Sequence, residues 1–510
     1  MARFSPLAVI ERVGNRLPDP ATLFVIGCAL VLLGSWWAAS SGWSVAHPSK
    51  PGEMVTAVNL LAVSEQRWIW LNAIRNFLDF HPLGVVLVAM LGIGVAERTG
   101  LFASILKLIV LATPAKLLTP AVIFAGVMSS AAADAGYVVL PPLVAGVFAT
   151  VGRSPLVGIA AVTFGIAGGF SANLLITSLD PLLQGITLAA ARLVQPDIDI
   201  RVDCNWYFMI GSTFMLTILG WIVTIFVERR YDASQVRTQI TNAGITASGP
   251  ERLSSQETRG LIVAAFVALV TVGAIAAMVA VPGWPLHGSY EKLPGRMVPV
   301  WTDALVPILF VGFLLPGVAY GIAAGNVRSD RDVARSMGDS MASMGTYIVL
   351  AFFAGQFIKW FERSNLGLMI AVEGVDALKQ FELAPHVLVI AIVTLTAGIN
   401  LFMSSASAKW AILAPVMVPL FMGLGLTPEL VQAGYRVGDS VTNPITPLNA
   451  YLVVILVVIR RYEPTAGVGT VISLLLPYSL SAWIVWTLFL LAWGSIGLPL
   501  GPNGGAPFGG

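Results

Sequence analysis

Residues 21–40 carry no charged side chain and, at about 1.5 Å per residue, are long enough to cross a hydrocarbon core of roughly 30 Å. Six more runs of spanning length, charge-free or nearly so, follow at about 82–97, 206–227, 260–281, 303–324, 338–358 and 467–497. In lipid a chain must satisfy its own backbone N–H and C=O groups, so these runs are expected to be helices. Arg3, Arg12 and Arg16 form a positive leader, but the apolar run behind them exceeds the roughly 7–15 residues of a signal-peptide core, so the first run is read as a retained span. Only 11% of residues are charged, against about a quarter in soluble domains, which excludes an ordinary water-soluble enzyme. The net charge of +2 is too small for nucleic-acid binding along a basic face. Cys28 and Cys204 have no disulfide or metal spacing, and the four histidines form no zinc motif, so no cofactor is expected.

Three other apolar stretches, about 115–152, 155–195 and 385–460, are interrupted by small residues, prolines and charges. Broken backbone at membrane depth is tolerated only inside protein or along a wet cavity, so function is expected there. Three short matches recur in order. Glu97-Arg98-Thr99-Gly100-Leu101 returns as Glu362-Arg363-Ser364-Asn365-Leu366, 265 residues later. The segment from Met128 to Asp134 returns from Met403 to Lys409, offset by 275, and that from Ile176 to Asp180 returns from Ile445 to Asn449, offset by 269. Collinear matches at similar offsets indicate a duplicated unit. The second match lies in a Ser/Ala-rich break between two arms too short to span. That pattern fits a re-entrant hairpin, with a single helix kinked around Pro141-Pro142 and Pro415 as the alternative.

The expected architecture is an all-α polytopic membrane protein with nine transmembrane helices, two re-entrant hairpins and an inverted-topology repeat whose helices break at the midplane. Residues 1–81 hold the first span and a periplasmic segment. Unit one is 82–227, with its hairpin at about 115–152 and its broken helix at about 155–195. Residues 228–337 are linker and two connecting spans. Unit two is 338–497, with its hairpin at about 385–424 and its broken helix at about 427–460; 498–510 is a flexible tail. Five crossings separate the starts of the two units, so they are opposed. Of the 29 lysines and arginines, 17 fall on the side of the N-terminus and 10 on the other, with Lys409 and Arg436 inside membrane segments. The positive-inside rule therefore puts the N-terminus in the cytoplasm and the C-terminus outside.

Asp180, Lys409, Arg436 and Asp439 lie within the interrupted segments. Unpaired, each would cost roughly 2.5–3.5 kcal/mol at a helix centre, so they must pair or face water. Arg436 and Asp439 are three apart and can share a helix face as an intrahelical pair, structural or functional. Asp180, beside Pro181 and beyond Gly165, Gly168 and Gly169, suits a sodium site or a proton carrier. Asn173 and Asn443, near the matching breaks, offer amides for ion or substrate, or for bonds between packed helices. At the tips, Ser129, Ser130, Asp134, Ser404, Ser405 and Ser407 bring small or polar groups near helix N-termini that can bind an anion, or simply allow close packing. Trp410 can stack on a substrate ring or pack against protein.

Four segments carry a resemblance: Met128 to Leu143 (MSSAAADAGYVVLPPL), Gly165 to Pro181 (GIAGGFSANLLITSLDP), Ser404 to Pro419 (SSASAKWAILAPVMVP) and Tyr435 to Tyr451 (YRVGDSVTNPITPLNAY). Through them the chain, apart from its tail, resembles the p-aminobenzoyl-glutamate transporter (AbgT) family of bacterial inner-membrane proteins. The resemblance implies a homodimer with nine spans and two hairpins per protomer and a bowl open to the cytoplasm. It also implies that Asp180, Ser407, Trp410, Arg436, Asp439 and Pro447, with Asn400, handle substrate or ion. Its members are associated with uptake of p-aminobenzoyl-glutamate or with efflux of sulfonamide antimetabolites. The expected function is ion-coupled secondary transport of such aromatic carboxylates, or that efflux, with sodium or protons as coupling ion. A dicarboxylate symporter is the near alternative. An intramembrane aspartyl protease using Asp180 and Asp439 is disfavoured, because Arg436 stands where a GxGD motif needs glycine. A passive channel is disfavoured by the fixed charges, and no P-loop supports coupling to ATP.

Overall fold

The computed structural model describes residues 20–46, 52–80, 82–132, 135–231, 233–242, 253–293, 296–403, 405–446, 449 and 451–502. Asp134, Ser404 and Pro447 lie outside the described residues. The chain is a polytopic helical membrane protein. Among the described residues seven helices are long and apolar enough to cross a membrane, or nine if each of two bent pairs counts as one span.

The first helix, α1 (Pro20–Ser40), is followed by a short antiparallel hairpin, β1 (Ser44–Ala46) with β2 (Met54–Thr56), and by α2 (Val63–Leu78). From there the order of elements runs twice. The first series is α3 (Pro82–Arg98), α4 (Leu101–Leu111), α5 (Leu118–Met128), α6 (Ala135–Thr150), α7 (Pro155–Thr163), α8 (Leu179–Ala191) and α9 (Trp206–Glu228). Among the described residues, four longer helices connect the series, α10 (Ala233–Asn242), α11 (Ser255–Ala280), α12 (Leu305–Ala324) and α13 (Asp330–Ser343), with a second hairpin of Ser289–Leu293 on Arg296–Pro299 and a single helical turn, Val300–Asp303, between α11 and α12. The second series is α14 (Gly345–Arg363), α15 (Leu366–Lys379), α16 (Pro385–Asn400), α17 (Ala406–Gly423), α18 (Pro428–Thr442), α19 (Tyr451–Arg460) and α20 (Val468–Ser495).

Local chemistry repeats along with the order. The turn from α3 to α4 passes through Gly100 at φ 91°, and the turn from α14 to α15 passes through Asn365 at φ 62°. Glycine and asparagine are the residues that enter this left-handed region at least cost. Both α7 and α18 begin with Ser/Thr-Pro, where proline at the first helical position loses no intrahelical bond. α7 then ends in a widened π-turn, Phe164–Gly168, and α18 in a tightened turn, Asn443–Ile445, that Pro444 helps to open because it has no N–H to continue the ladder. Each broken helix crosses a neighbour at a glycine. A Cβ on Gly165 would sit 2.4 Å from the Ile123 carbonyl oxygen of α5, and one on Gly438 2.4 Å from the Val393 carbonyl oxygen of α16. The prolines of the sequence alternative, Pro141, Pro142 and Pro415, lie inside α6 and α17 rather than at the breaks.

The segment between α1 and α3 contains the amphipathic helix α2, and α13 precedes α14. Two expectations need correction. The expected run 338–358 is divided at Met344, where α13 and α14 meet at 46°. Residues 498–500, expected to lie in a flexible tail, are packed. Leu500 is buried, its carbonyl accepts from Phe208 N at 3.1 Å, and Trp493 Nε1 donates to the Pro499 carbonyl, so this segment caps α9 and α20.

Gly438→Ala should overpack the α16–α18 crossing at a backbone oxygen that cannot move aside, costing about 1–3 kcal/mol. A lowered thermal midpoint of the detergent-solubilised protein checks it.

Candidate functional site

The two breaks meet in the interior. Ser171 N, just past the π-turn, donates to Ser440 Oγ near the end of α18 at 3.2 Å, and these residues are 269 apart, the offset of the third sequence match. Around this contact the four intramembrane charges pair, though not as the helical spacing suggests. Arg436 does not engage Asp439. Its Nη2 lies 2.6 Å from Asp180 Oδ1 and 3.2 Å from the Ser171 carbonyl oxygen, both contributed by the first series. Asp439 Oδ1 takes Lys409 Nζ of α17 at 2.5 Å, and Lys409 also donates to Asn400 Oδ1. Sharing a helix face permits a pair but does not compel one; here each ion finds an opposite charge on another element. Lys409 and Asp439 are almost completely buried, so neither could remain charged alone.

Asp180 stands in the first turn of α8, at the positive end of the helix. Its second oxygen accepts from Thr177 N at 2.7 Å and Thr177 Oγ1 at 2.9 Å. Asn400 Nδ2 donates to the Asp439 carbonyl at 2.7 Å and to Asn443 Oδ1 at 2.8 Å, which ties the end of α16 to the break after α18. Two polar atoms of the cluster, Arg436 Nε and Asp439 Oδ2, are buried without a partner among the described residues.

Next to this cluster is a cavity of about 490 Å³, a size suited to a small organic ligand. Its wall includes Tyr137, Leu179, Ser407 and Tyr451, which sit in the first turns of α6, α8, α17 and α19. Four helix N-termini, two from each series, thus open toward one space. The wall holds no charged side chain among the described residues. Thr177 belongs both to the wall and to the Asp180 cluster, which places the Asp180–Arg436 bridge directly behind it.

The predicted site residues divide accordingly. Ser130, Ser405, Ser407 and Asn443 line the cavity. Asn173 stands behind Ser130, donating to its Oγ at 2.7 Å. Ser129 is buried in packing and donates to the Gly126 carbonyl at 2.6 Å. Asp180, Arg436, Asp439, Lys409 and Asn400 form the buried cluster. Trp410 is fully buried, stacked on Tyr435 at 4.3 Å between centroids, with Nε1 donating to Thr187 Oγ1 of α8 at 2.9 Å. In this conformation it joins the two series instead of facing the cavity. The aromatic residues that do face it, Tyr137, Phe170, Tyr347 and Tyr451, were not predicted, although Tyr137, Phe170 and Tyr451 lie within the quoted motifs.

The sequence matches the AbgT putative transporter family over residues 5–508. The chain belongs to the AbgT transporter family. It is 35% identical over 497 residues to the p-aminobenzoyl-glutamate transport protein of Escherichia coli K12, covering 97% of this chain and 95% of that one. The crystal structure of the Alcanivorax borkumensis YdaH transporter superposes with a TM-score of 0.88 at 40% identity, over 95% of this chain and all of that one. Neisseria gonorrhoeae MtrF, described with a class of antimetabolite efflux pumps, superposes with a TM-score of 0.89 at 39% identity, over 98% and 99% of the two chains. These relatives are transporters and not enzymes, which removes the protease alternative. The carboxylates of Asp180 and Asp439 agree with that, each being held by a different cation.

The pairing can be read by double-mutant cycles on the thermal midpoint. Asp180→Ala or Arg436→Met alone should cost about 3–5 kcal/mol by stranding a buried charge, and the double variant should regain most of it. Lys409→Met with Asp439→Leu should behave alike, whereas Arg436→Met with Lys409→Met should show no such recovery.

Proposed function

We propose that this protein is an ion-coupled secondary transporter of aromatic carboxylates such as p-aminobenzoyl-glutamate, or an exporter of sulfonamide antimetabolites, working by alternating access. The observation that carries this reading is the cavity into which four helix N-termini open. The helix dipoles there attract an anion, and the wall holds no fixed cation among the described residues. The substrate is drawn from the name of the Escherichia coli relative and the efflux alternative from that of MtrF. The inferred setting is a bacterial inner membrane, with the N-terminus cytoplasmic and the C-terminus periplasmic. Each protomer of a homodimer would hold nine spans and two re-entrant hairpins, arranged as an inverted repeat with units 82–227 and 338–497.

Coupling follows from what Arg436 occupies. Its guanidinium covers one oxygen of Asp180 and the Ser171 carbonyl, the kind of oxygens a sodium ion would need. A sodium ion at that position, or a proton on Asp180, displaces Arg436 from the bridge. The freed guanidinium, already adjacent to the cavity wall, then receives the substrate carboxylate, with Ser407 and the helix N-termini completing the seat. Asp439 keeps Lys409 neutralised while its free oxygen offers a second place for a proton. Ion and anion thereby enter together, because each removes the other's competitor.

The test is accumulation of radiolabelled p-aminobenzoyl-glutamate in proteoliposomes under a sodium gradient, a proton gradient or none. Accumulation with one gradient only is expected, and Asp180→Asn should abolish it while leaving the oligomer intact. Transport by Asp180→Asn at the wild-type rate would overturn the coupling role. Failure of the wild type under every gradient would discard this substrate and favour sulfonamide efflux, measured with the same vesicles.

A further inference from the structure

Trp410 is the aromatic residue that the sequence offers as a partner for a substrate ring, yet it is sealed between α8 and α18. The cavity has its own aromatic surface. Tyr137, in the first turn of α6, and Tyr451, at the start of α19, lie face to face with centroids 4.2 Å apart and planes 9° apart. Both line the 490 Å³ cavity, and they come from different series of the repeat. Nearly parallel rings at this distance form a stacked platform to which a third planar ring can be added. In the wall of the same cavity the hydroxyl of Tyr347 is buried with no hydrogen-bond partner among the described residues. A buried hydroxyl left in that state is costly unless a ligand or water completes it.

We propose that the Tyr137–Tyr451 pair is the ring-binding subsite of the cavity and sets its preference for planar aromatic acyl groups. The ring lies on the pair, and the Tyr347 hydroxyl bonds a polar ring substituent or the linking amide. The carboxylates point toward the helix N-termini and Ser407. Because the two tyrosines belong to different units, a bound ring also bridges them, so the stack reports on their relative position. Trp410 in this scheme is a positioning residue that holds α17 against α8. The inference rests on the transport reading above and deepens it.

The test uses the purified full-length protein in detergent and two ligands, p-aminobenzoyl-glutamate and cyclohexanecarbonyl-glutamate. They share the glutamate and are close in bulk, but only the first is planar and aromatic. Isothermal titration of the wild type should show tighter binding of the benzoyl compound, by on the order of tenfold. Tyr451→Leu and Tyr137→Leu should erase that preference, and Tyr451→Phe should restore what leucine loses. Size-exclusion profiles and thermal midpoints confirm that the variants are folded. A preference that survives both leucine variants, or a wild type that binds the two ligands equally, overturns the subsite while the transport reading stands. A wild type that binds neither ligand overturns the subsite together with the aromatic-carboxylate substrate and leaves the sulfonamide-efflux reading.

Discussion

The bridge between Asp180 and Arg436 is the interaction on which the interior is arranged. Each residue lies on a broken helix, and each would be too costly in a membrane interior without the other. Pairing across the series fixes where the two breaks can sit, since the chain must unwind where its freed backbone groups find partners. Arg436 takes the carbonyl of Ser171 as well as the carboxylate, and the N–H of the same serine donates to Ser440. One side chain therefore satisfies a charge and an unwound carbonyl together. Glycines at positions 165 and 438 let neighbouring backbones come close enough for this to be done within a protein wall.

The second pair, Lys409 with Asp439, is confined to the second series and is the more deeply buried. Its presence explains why Arg436 is not consumed by the carboxylate on its own helix. An ammonium from α17 reaches Asp439 first, anchored by Asn400, and leaves the guanidinium to turn toward the first series. Fixed charge is balanced within the cluster at two positive and two negative. The cavity wall beside it holds no charged side chain among the described residues, and the proposed anion seat relies on helix N-termini instead.

Much of the architecture was legible in the sequence because it rests on periodicity and local cost. Charge-free runs marked long helices such as Trp206–Glu228, and Ser/Ala-rich or Gly-rich interruptions marked the breaks. The weak match of Glu97–Leu101 with Glu362–Leu366 has a concrete basis in two left-handed turn residues, Gly100 and Asn365. What could not be read was partner choice. The spacing of Arg436 and Asp439 indicates a shared face, but the closeness of Asp180, more than two hundred residues away, depends on how the two series pack. The burial of Trp410 was illegible for the same reason, since Thr187 and Tyr435 close over it from different elements. The helix Val63–Leu78 was missed because its amphipathic pattern, with Trp70 and Leu71 exposed, has the composition of a polar connection.

A cavity wall without a fixed cation among the described residues has a consequence for turnover under the proposed mechanism. A carboxylate held by a permanent arginine in a low-dielectric site would be bound strongly in every conformation, and an affinity equal in two states moves no population between them. In the proposed mechanism the helix N-termini give a weaker, diffuse attraction that admits the anion, and the guanidinium withheld behind the wall by Asp180 adds strong binding only when an ion takes its place. Under that proposal the difference in affinity between the two states resides in one movable group, which loss of the ion withdraws. Asp180 thus has an electrostatic reason to stand in the first turn of α8, where it can hold Arg436 back and still touch Thr177 at the cavity wall.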